Sequence, residues 1–174
     1  MDWQAFLESL FLSHSLTGLL IGLVILFFGS LLASATIFLP VPFYLIVFGL
    51  SAWADSLPLT IAIGLSSGIG AGIGEMSGYL LGRVGLKAVE KTKKFNLGQI
   101  FDLEAKLEKQ GAWAIFVLAI IPVPFDIIGI AAGLIRFDFK SFFAATVAGK
   151  TVRYILIALG GYFGIEIIKR AFIH

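Results

Sequence analysis

Long apolar stretches, two of them interrupted by the same four residues, dominate this chain. A helix rises about 1.5 Å per residue, so about 20 apolar residues cross the hydrocarbon core of a bilayer. The pattern predicts an all-α integral membrane protein, with an interfacial N-terminal helix in residues 1–16 and a single membrane domain in residues 17–174. Five stretches are predominantly apolar: residues 17–33, 36–54, 59–82, 112–135 and 141–168.

The tetrapeptide Pro-Val-Pro-Phe occurs twice, at residues 40–43 and 122–125, and each copy interrupts an apolar stretch. Proline removes a backbone donor and clashes with the preceding turn, so these stretches are not expected to continue as regular helices. Broken backbone at membrane depth survives only where protein buries it or where it lines a water-filled cavity. Two such breaks, in matching places of two chain halves, indicate the central site of a transporter. The prolines that mark the breaks are Pro40, Pro42, Pro122 and Pro124.

The two halves of the chain also match after the breaks. Gly74 to Tyr79 reads Gly-Glu-Met-Ser-Gly-Tyr, and Gly149 to Tyr154 reads Gly-Lys-Thr-Val-Arg-Tyr, so a glycine, a charge and a tyrosine recur at equal spacing. We therefore predict a first repeat in residues 17–82 and a second in residues 112–170, joined by a connector in residues 83–111. The preferred arrangement is an inverted repeat, in which two re-entrant, proline-broken helical hairpins face each other near the membrane midplane and transmembrane helices complete the fold.

The distribution of basic residues orients the chain, because all thirteen lie within residues 83–170. The connector carries seven of them with four acids, around apolar residues at helical spacing, so we expect an amphipathic cytoplasmic segment. If residues 112–135 re-enter from that side, Lys169 and Arg170 end outside. If that segment crosses completely, both lie inside. Its two prolines make a poor continuous span and favour re-entry.

Composition agrees with a multi-pass protein of the cell membrane and narrows its chemistry. Hydrophobic residues make up 59% of the chain, and the mean hydropathy is +0.99. There is no cysteine, and the two histidines, His14 and His174, lie near the termini, so we expect no metal, no cofactor and no enzymatic activity. The one basic cluster is short and mixed with acids, which argues against nucleic-acid binding.

Two carboxylates within apolar stretches are candidates for proton coupling. Glu75 lies deep in an apolar, glycine-lined span, where a charged side chain is costly and is a functional hypothesis by default. Its structural alternative is an ion pair with Arg153 or with Lys150, which occupies the symmetric position in the second repeat. Asp126 follows the second proline pair, where it can accept a proton, bind a cation or cap a helix N-terminus.

The candidate ligands for a phosphate headgroup are Lys150, Arg153 and Arg83. Lys150 and Arg153 are three residues apart and share one helix face, and arginine is the better bidentate partner for phosphate. Their alternative role is to pair with Glu75 and Asp126. Arg83 lies at the end of a span, where a simple anchor at the cytoplasmic face is the alternative.

Glycines recur every four residues at Gly70, Gly74, Gly78 and Gly82, which leaves one helix face without side chains. In membranes such a face permits close helix packing, either within the chain or in a homodimer. The alternative is a sliding surface for a lipid tail.

Three segments carry a resemblance to a known family: residues 74–83, 116–133 and 160–164. With them the chain resembles, over residues 17–165, the DedA family, also called the VTT or SNARE-associated family. The resemblance implies two facing re-entrant hairpins and a role in moving lipids between leaflets. Bacterial members of that family are linked to recycling of polyprenyl-phosphate carriers and to the proton-motive force, and eukaryotic relatives are phospholipid scramblases. The chain departs from the family pattern at Ala119 and Phe125, where typical members carry two arginines.

Three functions are compatible with these features. The leading hypothesis is a transporter or scramblase that moves a phospholipid or polyprenyl phosphate between leaflets, with protons as a second partner. A proton-coupled exporter of small solutes or ions would use the same carboxylates. A non-transporting membrane scaffold would need Glu75 and Lys150 only as a structural pair.

Overall fold

The fold is given by a computed structural model that describes residues 16–36, 42–92, 111–122 and 124–172. Within these ranges the chain is helical and no strand occurs, which confirms the predicted all-α class. The predicted interfacial helix, Pro40 and most of the connector lie outside the described residues. The helices are α1 (Leu16–Ala35), α2 (Phe43–Ala52), α3 (Leu57–Gly74), α4 (Met76–Thr92), α5 (Gly111–Ile120), α6 (Phe125–Leu134) and α7 (Phe139–Phe172).

Three helical segments are long and apolar enough to cross a membrane: Leu16–Ala35, Leu57–Gly85 and Phe139–Gly164. The second of these combines α3 with the start of α4. Large apolar side chains on all three face outward, away from the packed core, as expected for surfaces in contact with lipid. Trp53 and Trp113 are 76% and 70% exposed, as expected for tryptophans at a membrane–water interface.

The described prolines of the two pairs, Pro42, Pro122 and Pro124, all lie outside the helices, as predicted. α5 stops at Ile120, and α6 begins only after Pro124, whose ψ of 96° is not helical. Pro42 likewise precedes α2 with a ψ of 60°. We call the position of Pro42, before α2, the first break, and Ile121, Pro122 and Pro124, between α5 and α6, the second break. The helices that follow the breaks, α2 and α6, have ten residues each and extend about 15 Å, too short to span.

A second type of interruption separates α3 from α4 at Glu75. The Glu75 N–H donates to the Ala71 carbonyl at 3.1 Å, but the next turn tightens, because the Gly78 N–H donates to the Glu75 carbonyl at 3.2 Å. A single tight turn of this kind inside a helix is frequent at functional sites. It places the one acidic residue of this span at an irregular point of the backbone.

Glycines bring α3 directly against the backbone of α7. A Cβ at these positions would lie 2.5 to 2.7 Å from Cα atoms of α7, closer than real contacts allow. Such contact between backbones is the packing mode that small residues provide in membranes. Three glycines of α3 lie opposite three residues of α7 in reverse order, so the helices are antiparallel: Gly64, Gly68 and Gly72 opposite Ile155, Thr151 and Val147.

The predicted glycine stripe is split between two partner helices. Gly70 and Gly74 lie against the Phe27 and Leu31 carbonyls of α1, and the order of these contacts makes α1 and α3 parallel. Beyond the interruption at Glu75, the stripe contacts α6 instead, in the pairs Gly78 with Gly129 and Gly82 with Ile130. Close packing within the chain is therefore confirmed for all four glycines, although they do not serve one common partner.

Each short helix packs on a long helix from the other half of the chain. α2 lies against α7, where Gly161 meets the Phe48 carbonyl, and α6 lies against α4, where Gly133 meets the Tyr79 carbonyl. α5 also contacts α7, through Gly149 and the Phe116 carbonyl. The buried side chains form two clusters, one around α4 to α7 and one around α1, α2, α3 and α7.

Candidate functional site

A buried ion pair connects the two halves of the chain at equivalent positions of the proposed repeat. The Lys150 ammonium of α7 donates to Oε1 of Glu75, at the interruption between α3 and α4. The two residues are only 6% and 5% exposed. The second carboxylate oxygen, Oε2, is buried and has no hydrogen-bond partner among the described residues. The pairing considered for Glu75 and Lys150 is thus present, and it leaves one acceptor unused.

The second break lies directly beside this pair. The Lys150 ammonium is 5.0 Å from the ring centroid of Phe125, the first residue of α6, which is cation–π distance. Asp126 follows in the first turn of α6, where a carboxylate suits the helix dipole. Its charge interacts with those of Lys150 and Glu75. Asp126 is partly exposed, so the site reaches from the buried pair towards the surface of the break.

Arg153 continues the charged face of α7 by one turn and contacts the broken backbone. Its Nη1 donates to the Ile121 carbonyl at 3.4 Å. Carbonyls at the end of a helix lack intrahelical partners, so the guanidinium satisfies an acceptor just beyond the end of α5. Thr146, Lys150 and Arg153 share one face of α7, since they are spaced by four and three residues. We call Glu75, Asp126, Lys150 and Arg153 the charged cluster.

Arg83 lies apart from the charged cluster, although sequence reasoning grouped it with Lys150 and Arg153. It is eight residues beyond Glu75, about 12 Å along the helical direction of α4. Its Nη1 donates to the Tyr79 hydroxyl at 3.2 Å, and that hydroxyl donates to the Phe137 carbonyl at 2.5 Å. A cavity of about 450 Å³ opens beside these groups. The predicted site residues therefore occupy two places, the charged cluster and this cavity.

Sequence reasoning missed three participants. The Phe125 ring and the Ile121 carbonyl belong to the charged cluster, and Tyr79 anchors Arg83. Phe125 ends the second Pro-Val-Pro-Phe and Tyr79 ends the motif from Gly74, but only the fold shows what these two side chains contact. The carbonyl of Ile121 could be anticipated, because the prolines that follow it interrupt the helical hydrogen bonds.

The model of the VTT domain family matches residues 39–163, which include α2 to α6, the second break and all four residues of the charged cluster. The chain belongs to the VTT domain family. No curated protein and no solved structure matches it. Members of this family are generally membrane proteins of the DedA type, and the three helical segments of spanning length in the described part of this chain agree with a location in a membrane.

Tyr79→Phe tests how firmly α4 is attached to the segment after α6 in this VTT domain. The change removes the hydroxyl that links Arg83 to the Phe137 carbonyl. We expect a loss of about 1 kcal/mol of stability, the usual net value of a hydrogen bond. Unfolding followed by circular dichroism in detergent measures it, with Tyr44→Phe on the exposed side of α2 as the matched control. Equal stability of the two variants would show that the hydroxyl contributes nothing.

Proposed function

We propose that this VTT domain moves lipid, a phospholipid or polyprenyl phosphate, between the leaflets of the cell membrane, and that proton uptake and release bias its access states. The observation that carries the proposal is the buried pair of Glu75 and Lys150 beside a proline break. Ionisable residues within a membrane span are costly and mark substrate or proton pathways. Broken helices beside such residues are typical of transporter binding sites.

Helix directions support two re-entrant hairpins that enter from opposite faces. α1 runs parallel to α3, so the first residues of both helices lie on the same side. α2 ends at Ala52, shortly before α3 begins at Leu57, so the end of α2 lies on that side too. This arrangement supports a hairpin of α1 and α2 that is open towards the start of α3. α5 follows the direction of α7, since Gly149 lies opposite Phe116 and Arg153 opposite Ile121.

α6 instead follows the direction of α4, because Gly129 and Gly133 lie opposite Gly78 and Tyr79. As α7 is antiparallel to α3, α5 and α6 run in opposite directions, which favours re-entry of residues 112–135 over complete crossing. The reciprocal contacts of α2 with α7 and of α6 with α4 are those expected of an inverted repeat.

Charge balance suggests how lipid and proton could be coupled. The charged cluster contains two carboxylates and two cations, so its net charge is zero when all four are ionised. A phosphodiester brings one negative charge, and taking up one proton with it keeps the cluster neutral at low dielectric. Protonation of Glu75 would release Lys150, which would then bind the phosphate together with Arg153. The acyl chains would stay in the surrounding lipid.

The close contact between Glu75 and Lys150 favours one alternative, a non-transporting scaffold in which these residues only join the two halves. Exchanging both charges, as Glu75→Lys with Lys150→Glu, preserves a simple structural pair. The transport proposal predicts lost activity in that double variant, because the reversed pair places the cation away from Arg153 and the carboxylate under Phe125.

Glu75→Gln in liposomes tests the proposal. With fluorescent phospholipid or polyprenyl phosphate in one leaflet, we expect wild-type protein to transfer it, faster with a pH gradient. We expect Glu75→Gln to reduce transfer at least about tenfold, because glutamine cannot exchange a proton and a general proton-transfer role is worth about that much or more. Asp55→Asn, the same chemical change in the exposed turn before α3, is the matched control.

Two outcomes would contradict parts of the proposal. Transfer that Glu75→Gln leaves unchanged would reduce Glu75 to a structural role. No lipid transfer by folded wild-type protein under any gradient would favour the small-solute exporter or the scaffold.

A further inference from the structure

Arg136 has a backbone conformation that arginine rarely adopts. Its φ is +57°, and it is the one non-glycine residue with positive φ among the described residues. The position follows directly from the end of α6. The Phe137 N–H donates to the Ala132 carbonyl at 3.0 Å, and the Arg136 N–H donates to the Gly133 carbonyl at 3.2 Å. These two bonds form a Schellman motif, in which the residue at the position of Arg136 is usually glycine.

An arginine at a glycine position strains the backbone, because its Cβ crowds the neighbouring carbonyl in the left-handed region. Strain of this kind persists where the surrounding structure enforces it, and it concentrates at functional sites. The Schellman motif of α6 would be more stable with glycine. The side chain of Arg136 therefore calls for a function that offsets this cost.

Arg136 is exposed and lines the cavity of about 450 Å³ beside Tyr79 and Arg83. Two arginines and a tyrosine thus line one space. Asp138 also lines it, but Oδ2 of its carboxylate accepts the Ser141 N–H at 2.8 Å at the start of α7. That hydrogen bond holds the pKa of Asp138 below its usual range. With both arginines and this carboxylate ionised, the lining carries a net charge of +1.

The surroundings of the cavity are apolar on the outer side. Leu80 and Phe139 line it and are 56% and 45% exposed, on helices whose outer faces are those of membrane spans. A cavity with cationic walls and an apolar rim, at the end of the spans, matches a phosphate group attached to a hydrophobic tail. Two guanidinium groups suit a phosphate better than a single carboxylate, since each can bind it through two parallel hydrogen bonds.

We propose that Arg136 and Arg83 form a phosphate-binding site beside α4, where α6 ends and α7 begins, separate from the charged cluster. The ligand class is a phosphate monoanion or diester, and the apolar rim favours a lipid headgroup over a free ion. In transport, a role that rests on the proposed function, this site would hold the headgroup at the surface before it reaches Lys150. Binding itself does not depend on transport and can be measured alone.

Arg136→Gly is the decisive variant, because it removes the guanidinium and relieves the backbone strain in one change. Purified protein is tested by native mass spectrometry with phosphatidylglycerol and with zwitterionic phosphatidylcholine, and by competition with millimolar inorganic phosphate. We expect wild-type protein to prefer phosphatidylglycerol. We expect Arg136→Gly to weaken that binding about tenfold or more, as for loss of a hydrogen-bonded charge, while its Tm stays equal or rises. Arg136→Asn, which also tolerates positive φ, should behave alike.

Lys140→Ala is the matched control, since it removes a positive charge from the same end of α7 without lining the cavity. It should keep wild-type binding. Equal phosphatidylglycerol binding by wild type and Arg136→Gly would overturn the site, and so would an equal loss in Lys140→Ala, which would indicate only general surface charge. Displacement of the lipid by inorganic phosphate would support the site and show that the phosphate group suffices. If inorganic phosphate does not displace phosphatidylglycerol, the site is supported and the lipid chain is part of what it binds.

A separate readout distinguishes this proposal from the proposed function. Selective binding lost in Arg136→Gly, combined with wild-type protein that transfers no lipid in liposomes, would keep the site and reject lipid transport. Lipid transfer by wild-type protein without selective binding through Arg136 would keep the proposed transport function and reject this phosphate-binding site.

Discussion

Replacing Lys150 with Met will destabilise the protein by about 3–5 kcal/mol, the usual cost of removing one partner from a buried ion pair. The change leaves the Glu75 carboxylate 5% exposed in an apolar span without its cation. Either the carboxylate stays charged at low dielectric, or it binds a proton at neutral pH, and both outcomes cost free energy. Methionine has a similar length, so the loss of packing volume is small.

The matched double variant, Glu75→Gln with Lys150→Met, will recover most of that loss, because no charge remains unpaired. Replacement of a complete buried pair by neutral groups of similar volume is often close to neutral. The measurement is unfolding of the four proteins of this cycle in mixed micelles, with Lys140→Met at the exposed start of α7 as the control for loss of one lysine. A single Lys150→Met variant as stable as wild type would show that the pair contributes nothing to the fold.

When stability and lipid transfer are both measured on these four proteins, the structural role of the ion pair can be distinguished from a role in transport. Neither measurement alone makes this distinction. A double variant that is stable and still transfers lipid would make the pair structural, as the scaffold hypothesis requires. A double variant that is stable but inactive would show that the charges serve transport. Because the fold does not need them in that case, their place beside the second break would be explained by substrate or proton binding.

The pairing of Glu75 with Lys150 was predictable because the two residues occupy equal positions in two similar hexapeptides. The internal repeat that we propose from this match would bring such positions together. The proline breaks were predictable for a local reason, since proline cannot donate the helical hydrogen bond. Both arguments need only the chain itself. What the resemblance to the DedA family added was lipid as substrate, which spacing alone does not supply.

The partner helices of the glycines and the surroundings of Arg83 and Arg136 were not predicted. They depend on which helices pack against each other, and a local sequence pattern does not show this. The sequence singled out glycines from Gly70 to Gly82 as one stripe, yet the tight turn at Glu75 divides them between α1 and α6. Arg83 was grouped with Lys150 and Arg153 as a headgroup ligand, although it lies apart from them beside the cavity. The strain at Arg136 follows from the last residue of α6, and helix ends are the least certain part of any sequence-based prediction.

The glycine face formed by Gly64, Gly68 and Gly72 was missed altogether, although it carries the second large effect that we expect. Gly68→Ala will destabilise the protein by about 1–3 kcal/mol or more, the range found for overpacked cores. A Cβ at this position would lie 2.5 Å from the Cα of Thr151 and 3.1 Å from the Lys150 carbonyl. Backbone atoms cannot rotate away as a side chain can, so α3 and α7 must separate.

Gly85→Ala is the matched control, because within the described part of the chain no neighbouring atom lies within 4 Å of its added Cβ. There the usual preference of a helix for alanine over glycine applies, and we expect a gain of up to about 1 kcal/mol. The two variants make the same chemical change, but we expect Gly68→Ala to lower the stability and Gly85→Ala to raise it. Their unfolding midpoints in the same detergent measure both changes. Equal shifts would mean that α3 and α7 do not approach to backbone distance. Because Gly68 lies opposite Thr151, the residue after Lys150, the proposed function predicts that Gly68→Ala also reduces lipid transfer. Gly68→Ala keeps all four charges of the charged cluster and changes only the distance between α3 and α7. A loss of transfer in this variant would therefore show that the charged cluster needs the backbone separation of these two helices.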